Sequence, residues 1–294
     1  MSETIAFVGL GAMGAAMAAN VLKAGFGLRV YNRTPEKAQI LVAQGATLTN
    51  SPANAVTAGG IVVTMLTDDE ALEQVTVGPN GFLNALGANG IHVSMSTVSP
   101  DVTKRLTEAH QQAGSHYVAA PVFGKPDAAA AQKLWIAVAG NAEAKARVQP
   151  VLDSIGQGTY DFGDDPAAAN VVKLIGNFLF GAATEAMAEG FTLADKNGVP
   201  RQAVFELFSN TLFNCPVYKN YGKMVASRNY QPVGAPPSLI RKDYGLLLEV
   251  ARQSQTPMPL GSLLHDRLTA RVAKGHDAED WASLAEEAAE AAGI

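Results

Sequence analysis

An apolar run, a glycine-rich turn and a helix-forming segment follow one another near the start of the chain, and this order constrains the fold most. Residues 4–8 read TIAFV, residues 9–14 read GLGAMG, and residues 15–24 are rich in alanine. In a strand–turn–helix unit with this spacing, the first glycine makes the turn, the second lets the backbone approach a pyrophosphate, and the third permits close packing. Free N–H groups and the dipole at the helix N-terminus favour the phosphates. We predict a dinucleotide site at Gly9, Leu10, Gly11, Ala12, Met13 and Gly14; the alternative is a glycine turn that binds nothing.

The end of the second predicted strand, 28–31, indicates which dinucleotide binds. NAD-binding folds place an acidic residue here to bind the ribose hydroxyl, whereas this chain has Asn32, Arg33 and Thr34. Arg33 can pair with a 2′-phosphate, and Asn32 and Thr34 can add hydrogen bonds. The sequence therefore predicts NADP rather than NAD. The alternative is that Arg33 is only a surface residue of the turn.

Further strands and helices alternate along the first half of the chain. Strands are predicted over 60–66, 90–95, 116–122, 134–139 and 158–162, with a helix over 143–155. This alternation predicts a parallel, doubly wound sheet that closes near residue 163. Ligands bind at the carboxyl ends of such strands. The residues expected at that edge are Met65, Leu66, Thr67, Ser96 and Thr97, together with the loop Phe123, Gly124 and Lys125, where Lys125 offers a cation.

A long helix is predicted from Pro166 to Asn197. Proline suits a first helical turn, Asp164 or Asp165 can cap the start, and Asn197 with Gly198 supplies a left-handed stop. Apolar residues occur all round it, which favours burial between two lobes. Lys173 and Asn177 lie one turn apart on one face. Lys173 is either a solvated helix lysine or a chemical group.

The remaining segments carry helical periodicity only. Helices are predicted over 201–209, 217–226, 238–253, 260–274 and 281–292. The predicted fold class is therefore α/β, with a Rossmann-type doubly wound domain over 1–163, an interdomain helix over 164–197 and an all-α C-terminal domain over 198–294.

Composition excludes several function classes. The net charge is −5, and no run of five Lys or Arg residues occurs, so we expect no nucleic-acid partner. The single cysteine, Cys215, fits a reducing cytoplasm and is expected to pack as a small apolar residue. The five histidines lack metal-ligand spacing, so no metal site is predicted. No export signal is visible, and the apolar stretch 178–187 looks too short and too polar to span a membrane. A soluble, cytoplasmic protein is expected.

Taken together, six motifs resemble the β-hydroxyacid dehydrogenase family, which includes 3-hydroxyisobutyrate dehydrogenases and glyoxylate/succinic semialdehyde reductases. The resemblance covers essentially the whole chain, beginning with a cofactor domain like that of 6-phosphogluconate dehydrogenase. The motifs lie at 8–14, 32–34, 95–100, 120–122, Lys173 with Asn177, and Lys242 with Asp243. The resemblance implies that Lys173 is the catalytic acid/base and that Asn177 supports it. It also implies substrate contacts at Ser96 and Gly124, and cofactor contacts at Thr97 and Lys242.

One departure from the family pattern concerns the substrate loop. After Pro-Val the family usually continues Ser-Gly-Gly, which holds a substrate carboxylate, whereas this chain has Phe123, Gly124 and Lys125. A ring replaces a hydroxyl, and Lys125 is the candidate to restore anion binding.

The function implied by the resemblance is NADP-dependent interconversion of a small aldehyde or keto acid and its hydroxy acid. The alternatives are an imine reductase-like enzyme and a catalytically silent cofactor-binding scaffold. We also expect a homodimer or a dimer of dimers, because the long helix and the apolar helical domain need a partner surface.

Overall fold

The computed structural model describes residues 3–294. Contacts divide the chain into two compact units, one ending at Lys173 and the other spanning Leu174–Ile294. This boundary falls inside the long helix, so the predicted division at 163 and 197 stays a proposal. The strands of the first unit are β1 Thr4–Val8, β2 Gly27–Tyr31, β3 Thr47–Leu48, β4 Ile61–Thr64, β5 Ile91–Ser94, β6 His116–Ala119, β7 Val122–Phe123, β8 Leu134–Gly140 and β9 Gly156–Asp161.

The first six strands form the predicted parallel sheet. Their order is β3-β2-β1-β4-β5-β6, so the chain crosses from one side of β1 to the other after β3. Val8, the last residue of β1, pairs with both Tyr31 and Thr64, which brings the three carboxyl ends to one edge. A crevice at such a switch point is where open α/β sheets bind ligands. The short strand β3 was not predicted.

Both faces of this sheet are covered, as a doubly wound fold requires. Ile5 and Phe7 belong to one buried cluster, whereas Ala6 and Val8 belong to another. Side chains alternate between the two faces of a strand, so a strand buried on both sides is apolar at every position. The covering helices are α1 Ala12–Lys23, α2 Gln39–Ala43, α3 Pro52–Ala55, α4 Asp69–Val77, α5 Leu83–Leu86, α6 Pro100–Gln112, α7 Pro126–Ala130 and α8 Ala142–Ile155.

The far end of the sheet departs from the parallel arrangement. The predicted strand over 116–122 is divided at Ala120 and Pro121, and both pieces, β6 and β7, pair antiparallel with β8. Proline has no N–H to donate to a ladder, which explains the interruption. The register places Phe123 opposite Trp135. β9 then pairs parallel with β8.

The long helix α9 extends over Pro166–Lys196. Asp165 caps it, since its Oδ1 accepts a hydrogen bond from the Ala167 N–H at 3.0 Å, and Gly198 follows it with a φ of 72°. The prediction for the apolar stretch was wrong in one respect: by length and composition α9 is long and apolar enough to cross a membrane. The core helix of a soluble protein meets the same criterion, so this property does not distinguish the two.

The second unit is helical throughout. It contains the rest of α9, then α10 Arg201–Asn210, α11 Pro216–Ser227, α12 Pro237–Gln253, α13 Pro259–Ala273 and α14 Glu286–Ala291, with a 3₁₀ turn over Trp281–Ala285. The predicted helix over 281–292 therefore begins as a 3₁₀ turn. Its core includes Tyr244, Leu264 and Leu268. Cys215 is exposed, which contradicts the expectation of a packed residue.

Candidate cofactor and substrate site

The glycine turn between β1 and α1 contains three glycines with different surroundings. Gly9 has a φ of 98°, and a Cβ there would lie 2.3 Å from the Met65 carbonyl oxygen. A Cβ on Gly14 would lie 2.0 Å from the Gly9 carbonyl oxygen. Gly11 differs, because no atom outside its own chain neighbours lies within 4 Å of the position of its Cβ. Close packing explains why Gly9 and Gly14 must be glycines. Gly11 instead leaves open space in front of α1. The first N–H groups of a helix lack backbone partners and can bind an anion such as a pyrophosphate.

Asn32 connects this turn to the end of β2. Its Oδ1 accepts a hydrogen bond from the Leu10 N–H at 2.8 Å, and its Nδ2 donates to the Thr34 carbonyl at 2.8 Å. An aspartate could accept the first bond but could not donate the second. Asn32 therefore supports the shape of the glycine turn. Arg33 and Thr34 are exposed at the same strand end.

The ends of β4 and β5 are joined by Ser96. Its Oγ accepts a hydrogen bond from the Leu66 N–H at 2.8 Å, and the residue is fully buried. Sequence reasoning expected a substrate contact and did not foresee this bond. Thr97 is half-buried, and the Thr67 hydroxyl donates to Asp68 Oδ2 at 2.8 Å.

Phe123 and Lys173 meet within the first unit. The Nζ atom of Lys173 lies 4.6 Å from the centroid of the Phe123 ring. Both side chains are half-buried. Gly124 follows with a φ of 145°, and Lys125 occupies the N-terminal cap position of α7. The predicted substrate loop is thus adjacent to the predicted acid/base.

In the second unit, Asp243 organises two predicted residues. Asn177 Nδ2 donates to Asp243 Oδ2 at 2.7 Å, and Lys242 Nζ lies 3.0 Å from Asp243 Oδ1. Asp243 is buried, so its charge needs these partners. The adjacent Tyr244 donates from its hydroxyl to the Asn177 carbonyl at 3.1 Å. Sequence reasoning named Asp243 only as part of the motif with Lys242 and gave it no role of its own. Its position next to a lysine was the one signal that could have suggested an ion pair.

A buried polar chain crosses the first unit and was not predicted. Thr64 Oγ1 lies 2.9 Å from His92 Nε2, His92 Nδ1 lies 3.1 Å from His110 Nε2, and His110 Nδ1 lies 2.8 Å from Ser115 Oγ. Burial is the main cause that lowers the pKa of both His92 and His110. His110 lowers the pKa of His92 further, and His116 lowers that of His110, which falls to about 3. Both imidazoles are therefore neutral near pH 7.

Among residues 3–294 no group of three or more His, Cys, Asp or Glu side chains could hold a metal ion.

Comparison with known proteins agrees with this architecture. Residues 4–176 match the family described as the NAD-binding domain of 6-phosphogluconate dehydrogenase. Residues 167–287 match the NAD-binding family of NADP-dependent 3-hydroxyisobutyrate dehydrogenase.

Whole-length relatives give the same result. The chain is 42% identical over 280 residues to an uncharacterised oxidoreductase of Bacillus subtilis, covering 95% of this chain and 98% of the relative. It is 32% identical over 290 residues to a 3-hydroxyisobutyrate dehydrogenase of Pseudomonas aeruginosa, covering 95% and 96%.

A solved structure is also similar. The 3-hydroxyisobutyrate dehydrogenase of Mycobacterium tuberculosis with L-serine matches with a TM-score of 0.87 and 28% identity, covering 98% of this chain and 99% of that one. Since both family matches and relatives of nearly full length agree with the glycine turn and the sheet order, the chain belongs to the β-hydroxyacid dehydrogenase family of NAD(P)-binding oxidoreductases.

Proposed function

We propose that this protein is an NADP-dependent oxidoreductase that interconverts a small aldehyde or keto acid, of the semialdehyde or glyoxylate type, and its hydroxy acid. The observation that carries the proposal is Lys173, a half-buried lysine in the same unit as the cofactor fold. A lysine side chain in such a site can donate a proton to a substrate oxygen and take it back. Two of the relatives named above are 3-hydroxyisobutyrate dehydrogenases, and 3-hydroxyisobutyrate is a small hydroxy acid.

The proposed preference for NADP over NAD is based on the residues at the end of β2. No carboxylate stands at residues 32–34, so nothing there repels a 2′-phosphate. The exposed Arg33 provides the charge that would pair with it. The side chain of Asn32 is engaged in hydrogen bonds to the backbone, so we assign the discrimination between NADP and NAD to Arg33.

In the proposed reaction the cofactor and the residues of the chain have separate roles. When bound, the cofactor supplies or takes the hydride at nicotinamide C4. Lys173 donates a proton to the carbonyl oxygen during reduction and accepts it back during oxidation. Asn177 lies one turn further along α9, and its bond to Asp243 fixes the orientation of its amide. The open space at Gly11 would receive the pyrophosphate of the cofactor.

The direct test is turnover by the purified protein with NADPH and, separately, NADH. Succinic semialdehyde, glyoxylate and a cyclic imine form a sufficient substrate panel. We expect oxidation of NADPH with one of the first two, and slower oxidation of NADH. Turnover of the imine alone would establish the imine reductase alternative. NADPH binding without turnover of any substrate would establish a silent scaffold.

We further propose that the protein is a cytoplasmic homodimer or a dimer of dimers that pairs through its helical unit. An apolar cavity of about 310 Å³ lies between the second half of α9 and the helices α10 and α11. Phe213 lines this cavity and is exposed. Leu207 and Leu212, which precede the lining residues Phe208 and Phe213 in sequence, are exposed as well, Leu212 by 80%. Apolar surface of this kind is typical of an interface. The exposed Cys215 is compatible with a reducing compartment.

A further inference from the structure

The backbone around Phe123 fixes the direction of its ring. The pairing of Val122 with Ile136 and of Phe123 with Trp135 sets which face of the sheet each side chain occupies. Val122 joins the buried cluster on one face, and Phe123 projects from the other. Gly124 has a φ of 145°, and a Cβ there would lie 2.5 Å from Leu134 Cδ2. The ring is therefore held by strand pairing and by a turn that only glycine fits.

Packing places this ring against the first turns of α9. Phe123 packs on a buried cluster that contains Ala169 of α9, and Leu66 and Val172 pack on the same cluster. Lys173 directly follows Val172. The stem of Lys173 thus leaves the helix beside a ring whose position is already determined by its neighbours.

The contact between them has the geometry of a cation–π interaction. The distance of 4.6 Å from Lys173 Nζ to the ring centroid lies inside the limit of about 6 Å for this interaction. The face of an aromatic ring carries partial negative charge and attracts an ammonium group. A lysine stem has many rotamers, and a fixed attractive surface reduces the number that the ammonium group populates.

We propose that Phe123 is a positioning residue for Lys173, holding the ammonium group on its ring face so that the proton donor is directed toward the substrate carbonyl. This inference rests on the proposed function, in which Lys173 is the acid/base. A phenyl ring offers no hydrogen bond to a carboxylate. The residue that positions the proton donor therefore contributes nothing to anchoring an acid, and a substrate carboxylate matters less for binding.

The first test compares an aliphatic with an aromatic replacement. Phe123→Leu keeps an apolar side chain but removes the ring, and Phe123→Tyr keeps the ring. We expect the leucine variant to lose about 3- to 30-fold in kcat with little change in KM for NADPH, and the tyrosine variant to stay within about 3-fold of wild type. Phe162→Leu is the matched control, because it makes the same change at an exposed phenylalanine of the first unit. It should keep wild-type kcat.

A second measurement does not depend on turnover. The rate at which acetic anhydride modifies Lys173 can be followed by peptide mass spectrometry in each variant. We expect faster modification in Phe123→Leu than in wild type, with Phe123→Tyr and Phe162→Leu unchanged. If the wild type reduces no carbonyl compound, the proposed function fails, while this labelling still tests the contact.

The third test compares substrates with and without a carboxylate. Wild type should turn over butanal and succinic semialdehyde, which differ by one carboxylate, with kcat/KM values within about 10-fold of each other, and Phe123→Ser should favour the acid. Three outcomes would overturn the inference: equal kcat losses in the leucine and tyrosine variants, an unchanged kcat in the leucine variant, or Lys173 labelling that is the same in all variants.

Discussion

At the scale of single residues, Arg33 is the residue to which we attribute the proposed preference for NADP. Replacing it with alanine removes a charge-assisted contact to the 2′-phosphate, a loss of about 1.5–3 kcal/mol, so KM for NADPH should rise roughly 10- to 150-fold. KM for NADH should change little, because NADH has no 2′-phosphate. Steady-state kinetics with both cofactors measure this. Lys37→Ala, which removes another exposed cation nearby, is the control. An unchanged preference for NADPH in Arg33→Ala would contradict the assignment.

Substitution of Lys173 can distinguish a role in proton transfer from a role in substrate binding. Lys173→Ala should lower kcat by roughly two to four orders of magnitude, the usual contribution of a positioned proton donor. NADPH affinity, measured by fluorescence titration, should stay near wild type. A raised substrate KM with kcat retained at saturation would instead mean that Lys173 only anchors an anion. If Lys173→Met leaves both constants unchanged, the lysine is structural. Lys223→Ala removes an exposed lysine of the helical unit and serves as the control.

At the scale of elements, the glycine turn predicts opposite results for two substitutions to alanine. Gly14→Ala places a Cβ 2.0 Å from the Gly9 carbonyl oxygen and should destabilise the fold by about 1–3 kcal/mol. Gly11→Ala meets no protein atom within 4 Å and has a φ of −68°, so its melting temperature should match wild type. Its NADPH affinity should fall, because the methyl group occupies the opening. Thermal melting and cofactor titration of both variants test this. Tight NADPH binding by Gly11→Ala would place the pyrophosphate elsewhere.

The buried histidine chain joins β4, β5 and α6, and its hydrogen bonds have one consistent direction. Ser115 donates its hydroxyl proton to the His110 carbonyl, so His110 Nδ1 must donate to Ser115 Oγ. His110 Nε2 then accepts from His92 Nδ1, and His92 Nε2 accepts from Thr64. Both imidazoles are neutral in this arrangement, and protonating either removes an acceptor.

Acid should therefore destabilise the protein through these histidines. Their pKa is lower in the folded chain than the ordinary 6.5, so unfolding takes up protons below that value. The stabilisation is complete above pH 6.5 and is lost as the pH falls from 6.5 toward about 3. Urea unfolding between pH 7.5 and 4.5 should show it. His110→Gln should reduce the slope by up to about 1.4 kcal/mol per pH unit, whereas His265→Gln, at a partly exposed histidine, should not. Equal slopes in all three proteins would contradict this account.

At the scale of the whole molecule, the proposed homodimer is the remaining prediction. The chain mass of 30.6 kDa gives 61.2 kDa for two copies, and sedimentation at micromolar concentration should report that mass or twice it. Leu212→Glu should shift the mass toward the monomer, because it places a charge on the most exposed apolar residue beside the helical cavity. Ile40→Glu, at a residue that is 74% exposed in the first unit, is the control. A wild-type mass near 31 kDa would refute the dimer.

The sequence by itself determined the class of fold, because that class follows from short-range periodicity and from glycine and proline chemistry. The glycine turn, the strands β1, β2, β4 and β5, and the ends of α9 were predicted within a few residues for this reason. The family followed from six motifs that can be read directly from residue types and spacing, of which the turn at 9–14 is the first.

Only the tertiary structure decided which distant residues meet. The antiparallel pairing of β7 with β8, the ring of Phe123 on Lys173, the bond from Leu10 to Asn32 and the buried histidine chain all join segments that are far apart in sequence. No local pattern encodes such contacts, because each depends on how strands order themselves and on the space that packed side chains leave. Ser96 shows the same limit: its position at a strand end was predictable, and its bond to Leu66 was not.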